Sequence, residues 1–231
     1  MHKTLSRYLW LIIALAMAAP VSAQTLQVRH DHDPWGACEG ELQITEDGIR
    51  YDTDKEEHNR EWAWIDIQGF DRHSSETFSV LSYEDFGWHL GLDRAFDFTI
   101  LPGEPALVQA SFERIEEGLA RPITDRVPKI LEPEYEVAVK HRHVFGGCEG
   151  TLRFGDGWVV YTTDHAEDAR SWRQDHHIAN VWSSNPFELE LRVWEENRRA
   201  FDKAKRFVFQ LKEPLDRDYY ETLRREFLLA Q

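Results

Sequence analysis

The chain repeats itself. A shift of about 110 residues lays Val28 on Val139, His30 on His141, His32 on His143, Gly36 on Gly146, and Cys38-Glu39-Gly40 on Cys148-Glu149-Gly150. The match continues through Leu42 and Leu152, Tyr51-x-Thr53-Asp54 and Tyr161-x-Thr163-Asp164, and Arg60-x-Trp62 and Arg170-x-Trp172, and reaches Phe96 and Phe207. Self-similarity at one fixed period means a tandem duplication, here of a unit of about 95 residues, the size of a small independent domain. Between the copies lies "RPITDRVPKILEP", residues 121–133, whose Pro122, Pro128 and Pro133 disfavour helix and sheet interiors. We therefore expect one unit over 24–120, a linker over 121–133 and a second unit over 134–231.

Within a unit the apolar period is two, the mark of strands with one buried face. Leu26 and Val28, Leu42 and Ile44, and Ile49 and Tyr51 alternate in three strands, with a turn at Glu46-Asp47-Gly48. A fourth strand is expected from Trp62 to Ile67, and three more at Phe78/Val80, at Trp88/Leu90/Leu92 and at Phe96/Phe98/Ile100. The second copy repeats the scheme at Val137/Val139, Leu152/Phe154, Val159/Tyr161, Leu189/Leu191/Val193 and Phe207/Phe209/Leu211. Each copy then changes to a helical period, at Val108, Phe112, Ile115 and Leu119 and at Tyr219, Leu223 and Phe227. The fold class expected is mainly β with α: in each copy about seven antiparallel strands followed by one C-terminal amphipathic helix.

That order of elements resembles the pleckstrin-homology-like fold, with its bacterial and GRAM-type relatives, and the resemblance covers nearly the whole chain after residue 23, twice. It implies two tandem barrel-like units, each plugged by its helix, and a role in binding phosphoinositides, peptides or proteins. The loop where lipid-binding members carry basic residues here reads "HDHDPWGACEG" and "HRHVFGGCEG". Phosphoinositide binding is not supported by those residues.

Side chains alternate faces along a strand, so parity with the apolar stripe tells which residues point inward. Leu26 and Val28 lead to His30 and His32, while Ile44 and Leu42 lead back to Gly40 and Cys38. In the second copy the same rule selects His141, His143, Gly150 and Cys148. Three readings follow for these clusters. The imidazoles and thiol are hydrogen-bonded core groups; or His30, His32 and Cys38, with His141, His143 and Cys148, hold zinc or copper, which take these donors; or Cys38 and Cys148 form a disulfide, exclusive of the metal role. A fourth ligand is not evident, because His58 and His89 have no histidine at the matching positions of the second copy. The repeated Tyr-x-Thr-Asp and Arg-x-Trp sets read as core and turn residues, with a contact between Arg60 and Asp54 across their hairpin.

Residues 1–23 carry Lys3 and Arg7, an apolar run from Leu9 to Ala19 and small residues at Val21-Ser22-Ala23, the pattern of a cleaved secretory signal. Export to the periplasm or outside the cell is expected, with no membrane segment left after cleavage. Of 27 basic side chains, removal of Lys3 and Arg7 leaves 25 against 42 acidic ones, a field that repels phosphate backbones and argues against nucleic acid as a partner. No Gly-x-Ser-x-Gly elbow, phosphate-binding glycine loop or His-Glu-x-x-His occurs. The function expected is a non-enzymatic binding or protein-interaction module with no obligatory cofactor, the alternative being a transition-metal-binding exported protein.

Overall fold

Alternating apolar residues become two antiparallel meanders in each copy. The structure, a computed structural model, describes residues 23–32, 36–85, 93–195 and 204–229. The expected signal and the strand expected at Trp88/Leu90/Leu92 lie outside the described residues. In the first copy, Gln24–Asp31 (β1), Ala37–Ile44 (β2), Gly48–Thr53 (β3) and Arg60–Ala63 (β4) run back and forth. A 3-10 turn at Trp64–Asp66 leads to Ile67–Arg72 (β5), Thr77–Asp85 (β6) and Asp93–Ile100 (β7), then to helix α1 (Gln109–Leu119) and the two-residue strand β8 (Thr124–Asp125). The second copy runs Tyr135–Arg142 (β9), Gly147–Gly155 (β10), Trp158–Thr163 (β11), Arg170–Arg173 (β12), a short helix α2 (Gln174–His177), Ile178–Trp182 (β13), Glu188–Val193 (β14), Lys205–Leu211 (β15) and helix α3 (Arg217–Leu229).

The result is mainly β with few helices. One sheet has the order β4-β3-β2-β1-β7-β6-β5-β8 and the other β12-β11-β10-β9-β15-β14-β13. Each first strand pairs with the last, β1 with β7 and β9 with β15. Neither sheet closes on itself by hydrogen bonds: β4 does not pair with β5, nor β12 with β13. Helix α1 touches both the Trp64–Asp66 turn and β5, so it lies over the seam that strand pairing leaves open.

The strand expected from Trp62 to Ile67 is two strands. The intervening turn ends the alternation, and a register shift between Ile67 and Gly69 changes the parity of β5. The same shift falls between Ile178 and Asn180 in β13. A period-two search misses such a strand because the irregularity puts neighbouring apolar residues on one face. The helices are where the helical period places them, with Phe112, Ile115 and Leu119 of α1 and Leu223 and Phe227 of α3 buried, except that Val108 precedes α1 in extended backbone and is exposed.

Two cores form, one per sheet. Leu26, Val28, Leu42, Tyr51, Phe96 and Phe98 lie in the first, and Val139, Leu152, Tyr161, Trp172, Phe207 and Phe209 in the second. Residues expected as linker touch both sheets. Strand β8 pairs in parallel with β5, Thr124 opposite Asp71 and Asp125 opposite Arg72. Farther along, Ser171 Oγ of β12 donates to Val127 O at 3.0 Å and accepts from Lys129 N at 2.8 Å.

Candidate functional site

The β1–β2 hairpin is in unbroken register, His30 opposite Cys38 and Val28 opposite Gly40. The second hairpin matches it, His141 opposite Cys148 and Val139 opposite Gly150. With no bulge, the parity expected from sequence holds inside the strands, where His30, Cys38, His141 and Cys148 are all buried. It fails for His32 and His143, which stand one residue past the ends of β1 and β9 and are half-buried and exposed, respectively. The Glu-Gly pairs recur because a Cβ at Gly40 or Gly150 would collide with the backbone carbonyl of Asp52 or Thr162 on the next strand. Only glycine lets β3 and β11 approach this closely, which brings a tyrosine hydroxyl onto each cysteine.

In the first cluster, Cys38 Sγ is 2.9 Å from His32 Nε2 and 3.2 Å from Tyr51 Oη, and Tyr51 donates to Cys38 O at 3.2 Å. His58, in the turn between β3 and β4, brings its ring to 4.4 Å from that of His32, edge to face. A ligand atom each from His32, Cys38 and His58 lies within 4.8 Å of the others. His30 stands apart: its Nδ1 is 3.1 Å from Asp97 O, and its ring lies against Phe96 and Phe98.

The second cluster repeats this with one more member. Cys148 Sγ is 3.2 Å from both His143 Nε2 and Tyr161 Oη, and it donates to Asp168 Oδ2 at 3.5 Å. His143 Nε2 is 3.7 Å from Asp168 Oδ1. Here His141 joins, so four residues, His141, His143, Cys148 and Asp168, each place a ligand atom within 4.8 Å of the rest. Asp168 occupies the position that matches His58. A search for a second histidine there fails because the duplicated position keeps a metal-ligating side chain while changing its type.

Burial favours the neutral form of His30, His32 and His141, the form that can ligate a metal. It lowers His30, lowers His32 with help from the neighbouring His58 and Lys55, and pushes His141 down to about 4 with help from His143. Burial likewise raises the Cys148 thiol and both tyrosines, Tyr51 and Tyr161. His58 Nδ1 and His141 Nδ1 are buried with no hydrogen-bond partner among the described residues. The two cysteines are not joined: each is a free thiol in its own core, so the disulfide expectation is not met in this structure.

The Arg-x-Trp sets are tied to glutamates that the sequence did not single out. Trp62 Nε1 donates to Glu84 at 2.8 Å, and Arg60 Nε lies 3.5 Å from the same carboxylate. Trp172 Nε1 and Arg170 Nε reach Glu195 at 2.7 and 2.8 Å. Arg60 thus pairs with Glu84 rather than with Asp54, which instead accepts from Thr53.

No family model matches the chain, and no curated protein matches it. Among solved structures, it is similar to one titled "Structure of the Spt16D Pob3N heterodimer", over 83% of this chain and 97% of that one, at 10% identity and a TM-score of 0.28. A likeness that loose carries no weight for function.

Proposed function

We propose that the chain is an exported, non-enzymatic binding module made of two tandem PH-like units, and that it docks an extended segment of a partner protein on the edge of β13. The PH-like reading is supported by the strand order 4-3-2-1-7-6-5 followed by a helix, found in both halves. The observation that carries the docking reading is a difference between the two sheets. In the first, the edge of β5 is completed by β8, an extended segment from elsewhere in the chain. In the second, β13 is the last strand, and nothing among the described residues pairs beyond it. Toward Trp182, away from Ala179, which is engaged, the edge of this last strand offers main-chain donors and acceptors to a strand of another chain. Trp182, at the position matching Asp71, and Phe187 after the next turn are both about half exposed beside it.

A photo-crosslinking residue at position 182, in protein produced by export, tests this. The reading expects a discrete protein adduct whose crosslink maps to an extended segment, lost when Trp182→Lys is examined with the crosslinker moved to Ser183. A crosslinker at the exposed Ile130 gives the background. Adducts at position 182 no different from those at 130 would sink the docking reading.

A further inference from the structure

The hairpin clusters remain unexplained by partner docking, and they lie on strands far from β13 in the sheet order. Their donor atoms crowd around one sulfur in each hairpin. The sulfur of Cys148 faces His143 Nε2, Tyr161 Oη and an Asp168 carboxylate oxygen at 3.2 to 3.5 Å. Tyr161 also donates to Cys148 O. Cys148 Sγ is 3.2 Å from His143 Nε2 and 3.5 Å from Asp168 Oδ2, spacings near the edges of a tetrahedron, and the other Asp168 oxygen, Oδ1, is 3.7 Å from His143 Nε2. Bonds of about 2.0 Å to nitrogen or oxygen and about 2.3 Å to sulfur put donor atoms roughly 3.3 to 3.6 Å apart around zinc. A second observation agrees: each cluster contains a buried ring nitrogen without a partner among the described residues, in His58 and in His141, and His141 is 8% exposed. Buried polar atoms are rarely left so.

We infer that each hairpin holds a zinc-class divalent ion and that the two sites are unlike: His141, His143, Cys148 and Asp168 enclose one ion with four protein donors, whereas His32, Cys38 and His58 hold the other with one position open. Imidazole with thiolate and carboxylate is a zinc set, while all-oxygen sites suit calcium or magnesium. Four donors make a closed, structural site, and three leave room for water or an external ligand. The open position has access, because Cys38 borders a hollow of about 450 Å³ lined also by Arg29, Ala37, Glu39, Asp54 and Lys55. In the first unit His30 does not complete the set, since it places no ring nitrogen in the group that His32, Cys38 and His58 form. On binding, the cysteine S–H proton leaves to solvent and the sulfur–metal bond forms. The tyrosine hydroxyls, 3.2 Å from each sulfur, then turn their proton from the cysteine carbonyl to the thiolate and steady it.

The test uses the full chain, stripped with a chelator, desalted and titrated with Co²⁺ as a spectroscopic probe for zinc. The expected result is the absorption of tetrahedral cobalt with a thiolate ligand, saturating at two ions per chain, one of which resists a weak competing chelator. Asp168→Asn should weaken retention of the tightly held ion more than about tenfold, on the scale of losing a metal-site partner, and leave the other. His58→Gln should do the reverse. Both positions are partly exposed, so the stripped variants are expected to melt with the parent, and that measurement separates ligand loss from unfolding. Absence of the thiolate band from a folded chain overturns the inference. So does uptake that survives Cys148→Ser combined with Cys38→Ser, which marks adventitious binding at other histidines. Two ions released at equal rates would overturn the inequality of the sites.

Discussion

Glu195 keeps its charge deep in the second core. Burial alone would raise its pKa, but Arg170 and Lys205 outweigh that and hold it below the ordinary glutamate value. Its side chain is 1% exposed and that of Arg170 is 4% exposed. Removing one partner of a buried pair strands the other, so Glu195→Gln should lower unfolding free energy by about 3 kcal/mol in urea titrations. The matching Glu84 has a side chain 39% exposed, and water screens it. Glu84→Gln should therefore cost less than about 1 kcal/mol, and equal losses for the two variants would refute this account. Tyr161→Phe removes a buried hydroxyl that bonds Cys148 O and should cost about 1 kcal/mol. The Arg-x-Trp pattern was visible in the sequence as a repeat. Its glutamate was not, because it stands more than twenty positions downstream among other acidic residues, and only the β4–β3 and β6 geometry selects it.

At the scale of elements, β8 is held to β5 by more than its two residues of pairing. Arg72 donates to both Asp125 oxygens, at 2.8 and 2.6 Å, and Arg126 donates to both Asp71 oxygens, at 2.9 and 2.6 Å. The Asp125 side chain is 6% exposed. Asp125→Ala leaves Arg72 without its bidentate partner, so β8 should detach from the edge before the sheets unfold. Limited trypsin digestion is the check: the variant should be cut after Arg126 or Lys129 at least several times faster than the parent, and equal rates would show that proline stiffness, not pairing, holds the segment. Prolines made 121–133 readable as a connection. They said nothing of its docking, because the partners of Asp125 and Arg126 are some fifty positions away in the chain.

For the molecule as a whole, His177 is the contact to watch. It is fully buried, receives Arg173 N on Nδ1 at 3.1 Å and places Nε2 2.9 Å from Ile123 O, joining the second sheet to the segment after α1. One nitrogen accepts and the other donates, so the ring is neutral, and burial lowers its pKa from 6.5 despite the bond to Ile123. A lowered histidine gives stability that is complete above 6.5 and is lost as pH falls toward the folded value, because the unfolded chain takes up the proton first. His177→Gln should reduce the slope of stability against pH below 6.5 while changing the value at pH 8 less, as read from urea midpoints; an unchanged slope would assign the acid sensitivity to the other buried histidines. Sequence alone determined the duplication, the strand and helix periods and the inward parity of His30, Cys38, His141 and Cys148, since each is a local or self-similar property of the chain. It did not determine the split between β4 and β5, the pairing of β8, or the entry of His58 and Asp168 into the hairpin clusters. Those depend on which distant backbone comes within bonding reach, and a register shift or a change of residue type at a matched position leaves no periodic trace.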